Sequence, residues 1–488
     1  MLNSLHIKTK EYVIRDELLF DEGSEFNTFD IYETERILRS LNIFSRVHVQ
    51  PKVNESSDYD INIITQDRWS FEPAILYGSG GGAYVLGAGL REYNLLGTSA
   101  YLQLDGLYRS ENSIGWEGLG VYSQRRFLRT PLSLNLMLES NRIHTKQYLS
   151  LQKQYLNYYN SLSYGIDFFK SFGDIYYYKL PEESQRLRFT ETKANAFFSH
   201  SWLKDDQVYF TALVQYHSVD RGDMLFRQAY DNTTKLMLSF SSVADDYIPV
   251  ERLNSYLTED LCVGGYGNAI LGKTFKNNEF GEDLYYLGAQ GEQSVLLGNM
   301  YLFGQISAGT SFLTNARAKY TYQEFLGIGF YSLSPKLVIA ARLRQQTAWN
   351  WIALRQLILD NDAGLRGYRI NEITGENRLI SNWELRFFPG WELSFFKFSG
   401  VMFVDVGTAW DSDTKLYKVR WHQSAGFGLR IHNLKASANS EVIRIDFAFN
   451  LTQGKFGEII FSSGQLFSLI KQHKYKLPEF FGLDFDHY

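Results

Sequence analysis

From Trp69 onward the chain repeats its character every second residue. Between Val442 and Leu451, one side carries Ile443, Ile445, Phe447, Phe449 and Leu451, and the other carries Arg444, Asp446 and Asn450. Arg378 to Phe387 sets Leu379, Trp383, Leu385 and Phe387 against Asn382, Glu384 and Arg386. Ala425 to Ile431 opposes Phe427, Leu429 and Ile431 to Gly426, Gly428 and Arg430, and Tyr84 to Leu90 opposes Tyr84, Leu86 and Leu90 to Val85, Gly87 and Gly89. Side chains alternate across a strand, so a period of two gives each set its own face of a sheet. A soluble sandwich alternates too. Here the apolar faces are large and aromatic at nearly every step, and the opposite faces mix glycine with charges of both signs. That combination suits a closed barrel with lipid outside and a crowded, wet interior. Closure also removes the edges that so long a sheet would expose.

Composition agrees with strands. Phe 36 and Tyr 33 stand beside only Pro 8, with Gly 39 available for turns, and flat rings pack well on a pleated surface. A net charge of −5 speaks against nucleic acid as a partner. A single cysteine, Cys262, excludes an intramolecular disulfide and a thiol metal cluster. No apolar run reaches the roughly 18 residues of a transmembrane helix, but alternating barrel strands never would. At roughly 9–11 residues per membrane strand plus turns, residues 69–467 have room for about 16 antiparallel strands. The start, Met1-Leu2-Asn3-Ser4, has no basic segment leading into an apolar stretch, so an exported protein of this kind is expected to have lost its leader.

Residues 1–68 read differently. Leu2 to Ile7 is a candidate strand. Ile14 and Leu18 share a helical face, and Asp21-Glu22-Gly23 ends that helix. Asp30, with Glu33 three residues on, has the form of a capping box, followed by Ile31, Leu38 and Leu41 at helical spacing. Phe44 to Gln50 and Asp60 to Thr65 alternate as strands. The β-α-α-β-β order, with Tyr12-Val13-Ile14-Arg15-Asp16-Glu17-Leu18 and Arg36-Ile37-Leu38-Arg39-Ser40-Leu41 as its helices, resembles a POTRA domain, the periplasmic module of the Omp85 superfamily.

The remainder resembles that superfamily's barrel nearly end to end. Five segments carry the resemblance in order: Gly87 to Gly97 as the early hairpin; Leu365-Arg366-Gly367-Tyr368 as the inward-folded loop; Phe403-Val404-Asp405-Val406-Gly407-Thr408-Ala409-Trp410 as the strand that receives it; Gly426-Phe427-Gly428-Leu429-Arg430; and Arg444-Ile445-Asp446-Phe447-Ala448. The residues themselves say that Asp405 is an odd charge in an apolar run, costly if buried unpaired, and that Arg366 offers a planar fork that a carboxylate accepts in bidentate fashion. Gly367 permits close packing or positive φ, and Tyr368 can wedge against a wall. The resemblance implies that Arg366 pairs with Asp405 and holds the loop in the lumen. Glu384 and Asp446 face the same way and remain possible partners, although Arg386 and Arg444 would balance them. The other reading puts Arg366 on an extracellular tip.

Ile459 to Phe467 has the look of a last strand ending on an aromatic residue. With Phe461 and Gly464 it forms a lateral seam with the first strand, near Ser70 to Gly78; an interior glycine such as Gly464 weakens pairing. Residues 468–488 then form a tail whose role is open: docking in the periplasm, plugging the barrel, pairing with a partner, or disorder. The P-loop pattern at Gly267 to Thr274 has no helix behind it, and Gly78 to Gly82 reads as a turn. No catalytic constellation, metal-ligand spacing or cofactor motif appears, so an enzyme is not expected. The resemblance implies an insertase or translocase working without nucleotide in the outer membrane of a Gram-negative-type bacterium. Its partners would be outer-membrane lipid, client polypeptides and other subunits of an outer-membrane complex. A two-partner secretion transporter for one client and a structural barrel of a larger complex are the alternatives.

Overall fold

The structure is a computed structural model that describes residues 7–486 apart from 56, 156–159, 181–182, 203–206, 223, 254–255, 257, 395, 434–441 and 468–473. Twenty antiparallel strands, from Phe71–Gly80 to Lys455–Ser463, close into one barrel. The expectation of about 16 was too low, and the reason lies in the turns. Gly81–Gly82, Gly298–Asn299 and Pro335–Lys336 each reverse the chain in two residues, so less sequence is spent between strands. Gly81 (φ 63°) and Gly82 (φ 81°) are both left-handed, the conformation that a tight turn matched to strand twist requires and that glycine adopts without steric cost.

The two faces are the inverse of a water-soluble barrel. In Asn377–Phe387, Asn382, Glu384 and Arg386 are buried inside while Trp383 is 55% exposed outside. In Val442–Asn450 the buried side carries Arg444, Asp446 and Asn450, with Phe449 outward. Among the described residues no helix is long and apolar enough to cross a membrane.

Ahead of the barrel, helices Glu11–Arg15 and Thr28–Ser40 pack on a hairpin of Phe44–Val53 and Tyr59–Asp67 through Val13, Leu38, Ile43, Phe44 and Val47. The strand expected over Leu2 to Ile7 falls almost wholly outside the described residues. Asp30 is not the helix cap. Asn27, in an extended conformation (φ −131°, ψ 119°), accepts the Phe29 N–H at 2.9 Å, and Asp30 sits inside the first turn. Both residue types cap helices, and the backbone conformation before the first turn decides between them; Asp30 still complements the positive end of the helix dipole.

This small unit sits over one end of the barrel, against the turns Leu95 to Ala100 and Gln124 to Leu132. Arg126 and Arg125 reach Glu17 at 2.6 and 3.3 Å, Arg129 reaches Asp16 at 3.0 Å, and the Lys10 N–H donates to the Gly97 carbonyl at 2.9 Å. Glu17 is buried between its two arginines, so Glu17→Ala leaves both without their shared acceptor. The unit then undocks more often. Limited proteolysis is expected to cut the connection near residues 68–70 about tenfold faster, equivalent to roughly 1.4 kcal/mol; cleavage at the wild-type rate would show that this contact does not hold the unit down.

The last strand stops at Ser463 rather than at Phe467. Gly464, at φ 76°, lies just past the strand and turns the chain. Phe467 is therefore not a strand terminus: it is 5% exposed and packs inside the barrel beside Leu253, Phe330 and Phe388. The described part of the tail, 474–486, also lies within the lumen.

Candidate functional site

The connection between strands Leu337–Trp349 and Asn377–Phe387 emerges at the end opposite the helical unit and folds back into the barrel. A short hairpin, Leu357–Leu359 with Ile373–Gly375, gives it a frame, and Leu359, Leu365, Tyr368, Ile373 and Ile380 form its core. Asp360 shapes the bend by accepting N–H bonds from Asp362 (3.0 Å), Ala363 (3.1 Å) and Asn371 (2.8 Å). Burial raises the pKa of its carboxyl, against the pull of these donors. Gly367 is left-handed (φ 82°), which lets the segment turn between Arg366 on Asp405 and Tyr368 on Gln423 and Thr452.

Arg366 ends in the middle of a buried charge network. Its Nε and Nη2 donate to the two oxygens of Asp405, each at 2.8 Å. Its Nη1 donates to Glu384 at 2.9 Å and reaches Asp446 at 3.4 Å. All four side chains are fully buried. The guanidinium carbon also lies 3.5 Å from the centre of the Phe403 ring, and that face attracts a cation. Tyr368 is buried against the wall, where its hydroxyl lies 2.8 Å from Thr452 Oγ1 and 3.1 Å from the Gln423 carbonyl. The structure thus places Arg366 in the lumen, not on a tip, and Asp405, Glu384 and Asp446 share it rather than compete for it.

The remaining partners were only partly foreseeable. Glu384 is balanced by Arg386 at 2.8 Å, but the near partner of Asp446 is Arg430 at 2.5 Å, with Arg444 behind it at 3.6 Å. Gly428 makes that contact possible. It lies opposite Asp446 in the ladder, and a Cβ there would stand 2.0 Å from Asp446 Oδ1 and 2.6 Å from Arg430 Nη1. Asn382 adds a donor to Asp405 at 2.7 Å. Asn382, Phe403 and Arg430 were not singled out for the site; the small residue at 428 beside two charges was the available signal.

The first and last strands meet through a single paired position, Phe461 with Ser79. The first strand by contrast pairs its other neighbour at ten positions, Phe71 with Glu92 through to Gly80 with Ala83. Pro73 in that strand has no N–H to give to a ladder. The latched loop straddles this seam from inside. On one side the Ile370 N–H donates to the Gly81 carbonyl at 2.9 Å. On the other, Gly367 lies flat on the last strand, where a Cβ at Gly457 would stand 2.7 Å from the Gly367 oxygen. Of the residues assigned to the seam from sequence, Phe461 is in it. Gly464 lies beyond it, and Phe467 is drawn inward, with its carbonyl accepting from Arg386 Nη2 at 3.2 Å. Among the described residues no cluster could hold a metal ion.

No family model and no curated protein sequence matches the chain. Among solved structures it is similar to BamA from Haemophilus ducreyi lacking POTRA domains 1–3, at 15% identity and a TM-score of 0.46, over 94% of this chain and 82% of that one. It is also similar to CdiB from Acinetobacter baumannii (12%, TM-score 0.43, 93% and 70% covered) and CdiB from Escherichia coli (10%, TM-score 0.44, 93% and 73% covered). At these values the likeness is one of overall architecture. What the barrel does has to be read from its own latch and seam.

Proposed function

We propose that this chain is an Omp85-type barrel of the outer membrane, and that it inserts client polypeptides into the bilayer through its seam without nucleotide. The observation that carries the reading is the seam itself: one paired position between first and last strands, bridged from inside by a loop that a buried Arg366 network holds in place. A strand pair held at one ladder position is the place where this barrel opens at least cost. Its aromatic outer face belongs in lipid. The helical unit, as a single POTRA domain, then lies in the periplasm, and the latched loop enters from outside. The sheet of this unit offers an edge to which an extended client adds as a further strand.

A secretion transporter would carry its client across the lumen instead. Here the loop and the tail occupy that path, which favours lateral release. The test is reconstitution into liposomes with an unfolded outer-membrane barrel as client. Protease-protected client should accumulate with the protein and not with empty liposomes. Equal protection in both would remove the insertase reading, and a stoichiometric, client-free assembly recovered from native membranes would then favour a structural role.

A further inference from the structure

We propose that the C-terminal tail is a plug, seated in a track built for it along the barrel wall, that seals the lumen. The inference rests on the reading of the chain as a membrane barrel, and not on what that barrel inserts. Barrels of sixteen or more strands enclose an open channel unless something fills it, and this one has twenty. An unfilled lumen would leak whenever the protein stood in a membrane.

The tail runs the length of the interior. It leaves the last strand at the helical-unit end, where Phe467 packs against Leu253 and Phe388. Tyr475 then enters an aromatic pocket of Tyr155 and Tyr209, with ring centres at 5.3 and 4.6 Å, and its hydroxyl lies 2.8 Å from Thr211 Oγ1. Lys476 pairs with the buried Glu292. Phe480 stacks on Tyr286 at 3.8 Å, nearly parallel, and the Phe481 N–H donates to the Tyr286 hydroxyl at 3.0 Å. Near the far end Asp484 accepts from Gln346 at 3.0 Å. Asp486 is tied to the wall and to the inward loop: its carboxylate accepts from Arg378 of the wall and from the Ile358 N–H of the loop, both at 2.9 Å, and its own N–H donates to the Gln356 carbonyl at 2.9 Å.

Two features mark this as a fitted site rather than a loose chain lying in a pore. Buried polar groups of the wall, Glu292 and Gln346, and of the inward loop, Arg355, each bond a tail group: Lys476, Asp484 and the Gly482 carbonyl; losing such a partner inside a protein is costly. The wall is also cut away where the tail is thickest. Gly272 faces Phe480, and a Cβ there would stand 2.6 Å from the ring. Gly482 (φ 84°) lets the tail backbone lie directly on Tyr322. A cavity of about 270 Å³ remains beside Phe480, lined by Glu191, Lys193, Asp231 and Lys235 of the barrel and by Glu479 and Asp484 of the tail.

The experiment is single-channel recording in planar bilayers with no client present. The wild-type barrel should be nearly closed. Gly272→Leu in the full chain, which evicts Phe480 without removing any tail residue, should give a several-fold larger, steady conductance. So should a chain ending at His473. A synthetic peptide of residues 474–488 added to the shortened barrel should restore the block, and the same peptide carrying Phe480→Ala and Asp486→Ala should need roughly tenfold more, as loss of an anchoring aromatic and charge implies. Folding of each variant is checked by its heat-modifiable, detergent-resistant gel band. Equal conductance of wild type, Gly272→Leu and the shortened chain overturns the plug, as does an opened barrel that the peptide does not close. Because no client enters these recordings, failure of insertion in liposomes leaves their outcome untouched.

Discussion

Arg366→Ala is expected to be the most damaging single change in this barrel, costing about 3–5 kcal/mol, the usual size for breaking a buried ion pair from one side. The asymmetry of the network makes the prediction sharp. Glu384 keeps Arg386 and Asp446 keeps Arg430 when Arg366 is gone, but the hydrogen bonds left to Asp405 come from neutral donors: Asn382, Ser424 and the backbone N–H of residue 366. Asp405→Ala is milder, because Arg366 retains Glu384 and Asp446. The double variant should therefore be close to Arg366→Ala alone, and the two losses will not add. Arg366→Lys should not rescue, since one ammonium cannot reproduce a fork that holds two oxygens of Asp405 while reaching Glu384. The temperature at which the folded gel band disappears reads the series. Strict additivity, or full rescue by lysine, would mean that the network is not the loop's anchor.

How much of this was legible beforehand differs by residue. The barrel's two faces were plain in the alternation of Arg378 to Phe387 and Val442 to Leu451, because side-chain direction along a strand follows from local geometry alone. Asp405 stood out because a charge within an apolar run demands a partner, and Arg366 because its loop resembles the family's inward-folded motif. The number of strands was not legible: it depends on whether each reversal takes two residues or twelve, and only some turns, such as Gly81–Gly82, announce themselves. The choice of Arg430 over Arg444 for Asp446 was hidden for a related reason. All three lie on the polar face, and only the ladder register, with Gly428 opposite Asp446, sets which arginine comes near. The tail was least legible of all. Its site is assembled from Tyr209, Tyr286, Gln346 and Arg378 on four different strands, so it exists only once the barrel has closed.

Locking the seam should abolish insertion while leaving the fold intact. Ser79 and Phe461 are direct partners across first and last strands, and opposed positions in an antiparallel pair lie roughly 4.5–5.5 Å apart at Cα, within reach of a disulfide. With Cys262, the chain's single cysteine, changed to serine, Ser79→Cys and Phe461→Cys together can form only that bond within the chain. The oxidised protein should lose client protection in liposomes down to the level of empty vesicles, and reductant should restore it. Each single cysteine should behave as the unlocked parent. The expectation follows from how little now holds the strands together: one ladder position and the Gly82 N–H on the Glu458 carboxylate at 3.3 Å, with the loop spanning the gap through Ile370 on Gly81 and Gly367 on Gly457. These contacts are non-covalent and can come apart, whereas a disulfide cannot. If the oxidised barrel inserts client as well as the reduced one, the polypeptide does not leave through this seam. The single paired position is then only where the sheet happens to close.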